Sequence, residues 1–292
     1  MFTVTVLAAP SRANLSDAIL DPLRRDWQGG RRLWLADGIA AEFPLAARPE
    51  DFALRADALR GQGFDIAIQP TQGRRKALLL ADMDSTMIGQ ECIDELAAEA
   101  GVGPRVAEIT ARAMNGELNF HEALIERVGL LAGLPETVIA KVLAERITLA
   151  AGGPELIATM RAQGAHTVLV SGGFTAFTGE IGRRLGFHEN RANTLLAEEG
   201  VLTGHVTLPV LGREAKLEAL HEISARLGLT PAEAMAVGDG ANDLAMIEAA
   251  GAGVALHAKP VVAAQAPIRI DHADLTALLY LQGYGVDEFA RP

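Results

Sequence analysis

Apolar and polar residues alternate in the first 70 positions as they do in strands with one buried face. Phe2, Val4 and Val6 are separated by threonines, and the side chains of a strand point alternately to its two faces. An Asp-Gly pair, which is a strong hairpin signal, and two stretches of helical spacing complete the pattern. It predicts the order βαββαβ, a ferredoxin-like α+β unit over residues 1–72. The predicted strands lie near 2–6, 32–36, 39–43 and 64–68, and the helices near 14–23 and 50–60.

From residue 73 onwards, short apolar runs alternate with helical stretches. Such runs are typical of parallel strands that are buried on both faces. We therefore predict a Rossmann-like α/β domain over 73–292, joined to the first unit by a polar linker at 70–76 that contains Pro and Gly. A stretch at about 88–150, rich in Ala, Leu and Glu, predicts a helical cap inserted after the first strand. The apolar runs lie at 77–81, 166–170, 234–237, 253–256 and 268–270, with a predicted hairpin at 194–206.

The composition excludes several classes of protein. Hydrophobic residues make up 49% of the chain, and the single cysteine, Cys92, permits neither an intrachain disulfide nor a cysteine-based zinc cluster. A net charge of −11 and only 4% aromatic residues argue against a nucleic-acid-binding surface. No signal region is evident, and the apolar runs are too short for a bilayer. We expect a soluble, cytoplasmic protein.

Chemically useful residues follow three of the predicted strands. Asp82 and Asp84 come directly after the first apolar run, Ser171 follows the second, and Asp239 follows the third within a Gly-Asp-Gly stretch. The carboxyl ends of parallel strands meet at one rim of the sheet, where ligands bind. Two acids two positions apart can share one divalent cation and still divide nucleophile and proton-transfer roles. No Gly-rich nucleotide-binding loop is present.

The order of acid pair, serine, lysine and Gly-rich diacid resembles the four motifs of phosphatases of the haloacid dehalogenase superfamily. The resemblance covers roughly 74–285 and implies a parallel sheet with a helical cap, and phosphoryl transfer through an aspartyl-phosphate. The four motifs are Asp82-Met-Asp-Ser-Thr86, Ser171-Gly-Gly, Lys216 and Gly238-Asp-Gly-Ala-Asn-Asp243.

The resemblance implies a role for each acid. Asp82 is the nucleophile, and Asp84 is the general acid/base that protonates the leaving oxygen and then deprotonates the attacking water. One Mg²⁺ would be held by the Asp82 carboxylate, the Asp84 backbone carbonyl and Asp239, because Mg²⁺ prefers oxygen ligands. Asp243 would orient a water or hold Lys216.

The same resemblance implies how the phosphoryl group is bound. The Ser171 hydroxyl and the Gly172 amide would donate hydrogen bonds to phosphoryl oxygens. Lys216 would add a compact positive charge beside them. Together these groups would neutralise the charge on the equatorial oxygens during transfer.

Within the superfamily the chain resembles the phosphoserine phosphatases, in the motifs around Glu91, 114–120, Arg127 and 171–174. This implies hydrolysis of O-phospho-L-serine, the last step of serine biosynthesis. Glu91 would bind the substrate ammonium, and Arg127 its carboxylate through two parallel hydrogen bonds. The remaining implied substrate contacts are the apolar Met114 and Phe120 and the polar Asn242.

The N-terminal unit is similar to the ACT-like domains attached to some enzymes of amino-acid metabolism. Its loop at 8–13 lacks the glycine that many ligand-binding ACT domains carry there. We expect a structural or dimerising role, and a homodimer through this unit is one arrangement that the similarity allows. Binding of an effector stays open, because one fold supports many functions.

Two alternative functions stay open at this point. Another small-molecule phosphatase or phosphotransferase could use the same scaffold, for example with phosphohomoserine, because Glu91 and Arg127 do not measure the length of the substrate side chain. A protein of another class, an amino-acid-binding regulator with an inactive phosphatase core, would share the fold. The intact set of motif residues argues against that second alternative.

Overall fold

The N-terminal unit is a four-stranded antiparallel sheet with two helices. The structure, a computed structural model, describes residues 1–114 and 117–291. The sheet has the order β2-β3-β1-β4, so the predicted βαββαβ arrangement is confirmed. In chain order the elements are β1 (Phe2–Ala8), α1 (Asp17–Asp26), β2 (Leu33–Ala36), β3 (Ala40–Leu45), α2 (Phe52–Gly61) and β4 (Phe64–Pro70).

The first helix begins about three residues later than the sequence pattern predicts. Residues 9–13 form a turn in which the N–H groups of Arg12 and Ala13 donate to the Ala9 carbonyl. The Leu15 N–H then donates to the Gly38 carbonyl at 2.8 Å. The first helical i→i−4 hydrogen bond then runs from the Leu20 N–H to the Ser16 carbonyl at 3.2 Å, so α1 begins at Asp17.

The second domain is built on a six-stranded parallel sheet of order β12-β11-β10-β5-β6-β7, beside a two-stranded hairpin of β8 and β9. This confirms the predicted α/β class. The elements are β5 (Leu78–Ala81), α3 (Cys92–Glu99), α4 (Gly103–Met114), α5 (Phe120–Gly129), α6 (Val138–Glu145), α7 (Gly153–Ala162), β6 (His166–Phe174), α8 (Thr175–Leu185), β7 (Glu189–Asn193), β8 (Leu195–Glu198), β9 (Val201–Val206), α9 (Arg213–Arg226), β10 (Ala234–Gly238), α10 (Leu244–Ala249), β11 (Ala252–Leu256), α11 (Pro260–Ala263), β12 (Ile268–Ile270) and α12 (Ala277–Leu281).

Strand β5 occupies the point where the strand order reverses. Its neighbours are β6, which continues towards β7, and β10, which continues towards β12. All four of its residues are fully buried, as expected for an apolar run in a sheet covered on both faces. A crevice at the carboxyl end of such a strand is the usual place for a ligand in an open α/β sheet.

The helical insertion, α3 to α6, is attached to the core in two ways. Its entry and exit segments lie side by side: the Gly89 N–H donates to the Thr148 carbonyl at 3.0 Å, and the Ala150 N–H to the Met87 carbonyl at 2.9 Å. The hairpin of β8 and β9 also pairs with a cap loop, since the Gly133 N–H donates to the Leu202 carbonyl at 2.9 Å. The cap is therefore held over the rim at which β5 ends.

The N-terminal unit packs against the second domain through β4. The Asp65 carboxylate is fully buried and accepts hydrogen bonds from the N–H groups of Asp271, His272 and Ala273 at 2.8, 3.0 and 2.8 Å. Gln69 donates to the Leu281 carbonyl at 3.0 Å. The loop after β12 thus has its amide groups satisfied by the other unit. The domain boundaries at 72 and 73 stay a prediction.

Candidate active site

The two motif acids are placed on the rim by a tight turn after β5. The Asp82 N–H continues the strand pairing by donating to the Val237 carbonyl at 3.0 Å. The chain then folds back on Met83, whose carbonyl accepts from three successive N–H groups, and Ser85 adopts a positive φ of 55°. The carboxylates of Asp82 and Asp84 are consequently both buried at the same edge.

Lys216 links the nucleophile position to the last motif. Its Nζ lies 2.5 Å from Asp82 Oδ1 and 2.6 Å from Asp243 Oδ1. The other oxygen of Asp243 accepts from the N–H groups of Asp239 and Gly240 at 3.2 and 3.0 Å. Burial lowers the pKa of Lys216, but Asp243 and Asp82 outweigh that effect and the net direction is upward. Lys216 is therefore a charged ammonium held between two acids.

Three acids could hold a divalent cation. One carboxylate oxygen from each of Asp82, Asp239 and Asp243 lies within 4.8 Å of the others. Asp239 Oδ2 is buried without a hydrogen-bond partner among the described residues, with the Lys259 Nζ 3.9 Å away. Burial and the adjacent Asp243 raise the pKa of Asp239 to about 7. A buried carboxylate oxygen that accepts no hydrogen bond and has only a lysine at 3.9 Å beside it fits a metal ligand.

The Asp84 side chain points away from this cluster, towards the cap. Its Oδ1 accepts from the Cys92 N–H at 3.0 Å, and its Oδ2 accepts from the Ser171 hydroxyl at 3.4 Å. Ser171 in turn accepts from the Gly173 N–H at 2.8 Å. Burial raises the pKa of Asp84, although the hydrogen bonds from Cys92 oppose this. A carboxyl that protonates readily suits proton transfer. This orientation is compatible with the predicted metal site, to which Asp84 contributes only its backbone carbonyl.

Strand β6 continues through Phe174, past its predicted end at residue 170. Two glycines allow this, because a Cβ at Gly172 would lie 2.6 Å from the Phe120 ring and one at Gly173 would lie 2.6 Å from Asp84 Oδ2. Asn193 at the end of β7 donates to the Gly172 carbonyl at 2.9 Å. The glycine backbone can therefore approach the rim closely.

The cap contributes a buried guanidinium for which the described part of the chain offers no ionic partner. Arg127 is 2% exposed; its Nε donates to the Ala123 carbonyl at 3.1 Å and its Nη1 to the Thr110 hydroxyl at 2.9 Å. Among the described residues, no carboxylate oxygen lies within 4.0 Å of the Arg127 nitrogens. Burial lowers the pKa of Arg127. Because buried charges are normally paired, this guanidinium is arranged for an anionic ligand.

Glu91 is the matching acid, just before α3. Its Oε1 accepts from the Ser85 hydroxyl at 2.7 Å, and in the part of the chain that the structure describes no Lys or Arg nitrogen lies within 4.0 Å of it. Removal from water, together with the nearby Asp84 and Asp239, raises the pKa of Glu91 to about 8. The carboxyl of Glu91 and the guanidinium of Arg127 thus line the same pocket.

One pocket collects most of the predicted site residues. Lys216 and Ser171 do not line it but contact Asp82 and Asp84, which do. The side chain of Met114 lies outside the described residues. The Asn242 Oδ1 is buried without a hydrogen-bond partner in the described chain. The predicted residues that line the pocket are Asp82, Asp84, Glu91, Phe120, Arg127, Gly172 and Asn242.

Sequence reasoning missed the residues that support this pocket. Asp94 and Thr110 lie behind Arg127, and Asn193 holds both the Gly172 carbonyl and the backbone N–H of Leu211. Their partners lie between 16 and 21 positions away along the chain. A spacing of this kind has no helical or strand period, so no local signal identifies them.

A family model of haloacid dehalogenase-like hydrolases matches residues 79–248. The chain belongs to this family. A phosphoserine phosphatase of Archaeoglobus fulgidus is 44% identical over 247 residues, which cover 82% of this chain and 71% of the relative. The predicted superfamily resemblance is confirmed.

Two solved structures extend the comparison. A crystal structure of a HAD family hydrolase from Salmonella enterica serovar Typhi is similar over 96% of this chain and 98% of its own, at 31% identity and a TM-score of 0.85. A phospho-aspartyl intermediate analogue of phosphoserine phosphatase is similar over 70% of this chain and 98% of its own, at 41% identity and a TM-score of 0.68. The first similarity includes the N-terminal unit, because it spans almost the whole chain.

Proposed function

We propose that this protein hydrolyses O-phosphoserine to serine and phosphate through an aspartyl-phosphate on Asp82. The observation that carries the proposal is that, among the described residues, the Arg127 guanidinium and the Glu91 carboxyl have no ionic partner within 4.0 Å and line the pocket that also contains Asp82. An amino acid carries a carboxylate and an ammonium on one carbon, which such a pair would bind. The phosphoserine phosphatases among its relatives support the same substrate.

In the first chemical step an Asp82 oxygen attacks phosphorus and the serine oxygen leaves. Asp84 protonates that oxygen, a role supported by its raised pKa. In the second step Asp84, now ionised, removes a proton from a water that attacks the phosphorus. The bond to Asp82 breaks, phosphate is released, and Asp84 is protonated again, so the cycle closes.

Residues already fixed by hydrogen bonds would stabilise the phosphoryl group. Lys216 lies at Asp82, and the Ser171 hydroxyl and Gly172 amide lie on the same rim. Because Lys216 is held between two acids before the substrate arrives, it needs little reorganisation when charge develops. Ser171 would release its contact with Asp84, which is long at 3.4 Å, to reach a phosphoryl oxygen.

Mg²⁺ is the proposed cofactor. Asp82, Asp239 and the Asp84 carbonyl would hold it, with Asp243 left to Lys216 and to the amides of its own turn. When bound, the ion would neutralise phosphoryl charge that the acidic rim would otherwise repel. The unpartnered Asp239 Oδ2 supports this assignment.

The cap residues would select the amino acid. Arg127 retains free N–H groups for a carboxylate, and Glu91 would bind the ammonium. Phe120 packs over Gly172 and would cover the substrate methylene, while Asn242 would supply a polar contact. A role for Met114 stays a prediction.

The proposal extends to the assembly and location of the enzyme. The N-terminal unit would serve structure or assembly, with a homodimer through it as the proposed arrangement. A cytoplasmic location fits serine biosynthesis and a single buried cysteine. Among residues 1–114 and 117–291, no helix combines the length and apolarity needed to cross a membrane.

The test is phosphate release from a panel of phosphoesters with Mg²⁺ and with a chelator. We expect O-phosphoserine to give the highest kcat/KM, phosphohomoserine a lower one, and an aryl phosphate the lowest, with all three lost on chelation. A higher kcat/KM for phosphohomoserine would show that the proposed substrate is wrong and would leave the proposed phosphoryl-transfer chemistry intact. No hydrolysis of any phosphoester with Mg²⁺ would refute the enzyme itself and favour an amino-acid-binding role.

A further inference from the structure

Three cap helices contribute one residue each to a hydrogen-bonded chain in which Thr110 and Arg127 are buried and Asp94 is half-buried. Asp94 lies on α3, Thr110 on α4 and Arg127 on α5. The Thr110 hydroxyl donates to Asp94 Oδ1 at 2.7 Å and accepts from Arg127 Nη1 at 2.9 Å. Thr110 is 3% exposed, so solvent does not compete for its hydroxyl. The chain ends at the guanidinium that faces the pocket.

We propose that Thr110 and Asp94 are positioning residues that set the orientation of Arg127 and thereby the selectivity for a substrate carboxylate. This inference rests on the proposed function, in which Arg127 binds that carboxylate. Neither residue lines the pocket, so both act through Arg127.

The hydroxyl proton of Thr110 points towards Asp94. A threonine hydroxyl has one proton and can accept through its lone pairs. An ionised Asp94 can only accept, so the proton faces Asp94 and a lone pair faces Arg127. Without Asp94 the hydroxyl could rotate and turn its proton towards the guanidinium, which has no acceptor.

Two hydrogen bonds hold the guanidinium of Arg127. Its Nε is bound to the Ala123 carbonyl and its Nη1 to Thr110. Two contacts on a planar group fix its plane, and the N–H groups that remain free form the fork that binds a carboxylate. A fork held before binding loses less rotamer freedom when the ligand arrives.

Arg127 is held by the hydroxyl of Thr110 and not by a direct ion pair. Elsewhere in the cap, Arg146 pairs directly with Glu95 and Glu99. Such a pair would occupy the donors of Arg127 and neutralise its charge. The hydroxyl of Thr110 holds Arg127 in place and leaves its charge for the ligand, with Asp94 one residue further away.

The experiment compares Thr110→Val, which is nearly isosteric but lacks the hydroxyl, with Thr110→Ser, which retains it. For each variant, kcat and KM are measured with O-phosphoserine and with an aryl phosphate that has no carboxylate. We expect Thr110→Val to raise the KM for O-phosphoserine about tenfold, as for the loss of one hydrogen bond to a charged group. The ratio of the two kcat/KM values should fall equally, and Thr110→Ser should restore most of it.

A matched control is Thr159→Val. Thr159 is also buried, and its hydroxyl accepts from the Ala290 N–H at 2.9 Å, outside the pocket. This variant should lose comparable thermal stability and keep the wild-type selectivity ratio. If Thr110→Val does not fold, Asp94→Ala provides the second route, with an expected selective rise in KM of about threefold.

The background variant Arg127→Ala separates the two proposals. If it shows no selective loss on O-phosphoserine, the carboxylate contact is wrong and the positioning role falls with it. If Arg127→Ala is selective but Thr110→Val keeps the wild-type ratio, only the positioning role is refuted. Thr110→Val should add no further selectivity loss in the Arg127→Ala background, since the pair acts as one unit. An equal further loss there would show a general role in the cap and overturn the inference.

Discussion

The core half and the cap half of the active site treat charge in opposite ways. In the core, Lys216 bridges Asp82 and Asp243 at 2.5 and 2.6 Å, and Asp243 is held by two backbone N–H groups. In the cap, the hydrogen-bond partners of Arg127 and Glu91 within residues 1–114 and 117–291 are all neutral. Apart from Asp239, which is left for a cation, the charged groups of the core are therefore paired before any ligand binds, whereas the cap holds ionisable groups that a ligand must pair.

This difference separates chemistry from selectivity. Phosphoryl transfer needs a fixed nucleophile and fixed positive charge for every phosphoester, which the core would supply from Asp82, Lys216 and its cation site. Recognition of one ester needs interactions that other esters cannot make. Unpaired buried charges serve that purpose, because they are costly until a ligand of the right charge pattern arrives.

Removing the nucleophile should have the largest effect. In Asp82→Asn the side chain keeps its shape but cannot attack phosphorus as an anion, so kcat should fall at least about 10⁴-fold on O-phosphoserine and aryl phosphate alike. Phosphate release and circular dichroism measure activity and fold. Labelled phosphate trapped on a residue other than Asp82 would contradict the assignment.

Removing the cap charge should affect one substrate only. Arg127→Ala should reduce kcat/KM for O-phosphoserine about 30- to 150-fold, as for 2–3 kcal/mol, and change aryl phosphate hydrolysis by less than about threefold. Arg127→Lys should recover part of the loss, because a point charge lacks the planar fork. The matched control Arg146→Ala removes an exposed, paired cap arginine and should leave both rates unchanged. Equal losses on both substrates would assign Arg127 to the cap fold or the phosphate.

The pKa of Glu91 predicts how selectivity depends on pH. Because that pKa is raised to about 8 in the free protein, Glu91 is neutral at lower pH and must lose a proton to pair with an ammonium. The KM for O-phosphoserine, relative to that for aryl phosphate, should therefore fall as pH rises to about 8, by up to about tenfold per pH unit. Above about 8 the ratio should level off.

Glu91→Gln provides the control for this pH dependence. Its side chain does not titrate, so the ratio of the two KM values should be flat between pH 6.5 and about 9. A slope that persists in this variant would assign the titration to another group.

The smallest kinetic effect is expected for a substitution at Asp65, which lies far from both the core half and the cap half of the active site. Asp65→Ala leaves three backbone N–H groups of the 271–273 loop without their acceptor and should lower the free energy of unfolding by about 2–4 kcal/mol. Selectivity should not change. The control Asp57→Ala breaks an ion pair with Arg60 in which Asp57 is 74% exposed, and should cost less than about 1 kcal/mol. A selectivity change in Asp65→Ala would show that the N-terminal unit acts on the site.

The sequence alone determined five of the six strands of the parallel sheet and the identity of the acids on its rim. A strand that is buried on both faces, such as 77–81, appears in the sequence as a continuous apolar run. The run and its two ends can therefore be identified from the local sequence. Since parallel strands end at one rim, it followed that Asp82, Ser171 and Asp239 would meet. The family resemblance added Glu91 and Arg127, which periodicity would place on helix surfaces.

Only the tertiary structure decided how these groups are paired. Strand β7 has the polar sequence Glu189–Asn193 and was not predicted, because it contains no apolar run; its pairing with β6 places it at the edge of the sheet. The direction of Asp84, the link from Asp94 through Thr110 to Arg127, and the burial of Asp65 against another unit are likewise absent from any local pattern. Each joins side chains brought together by packing of separate elements, and hydrogen bonds depend on distances and angles that sequence spacing does not specify.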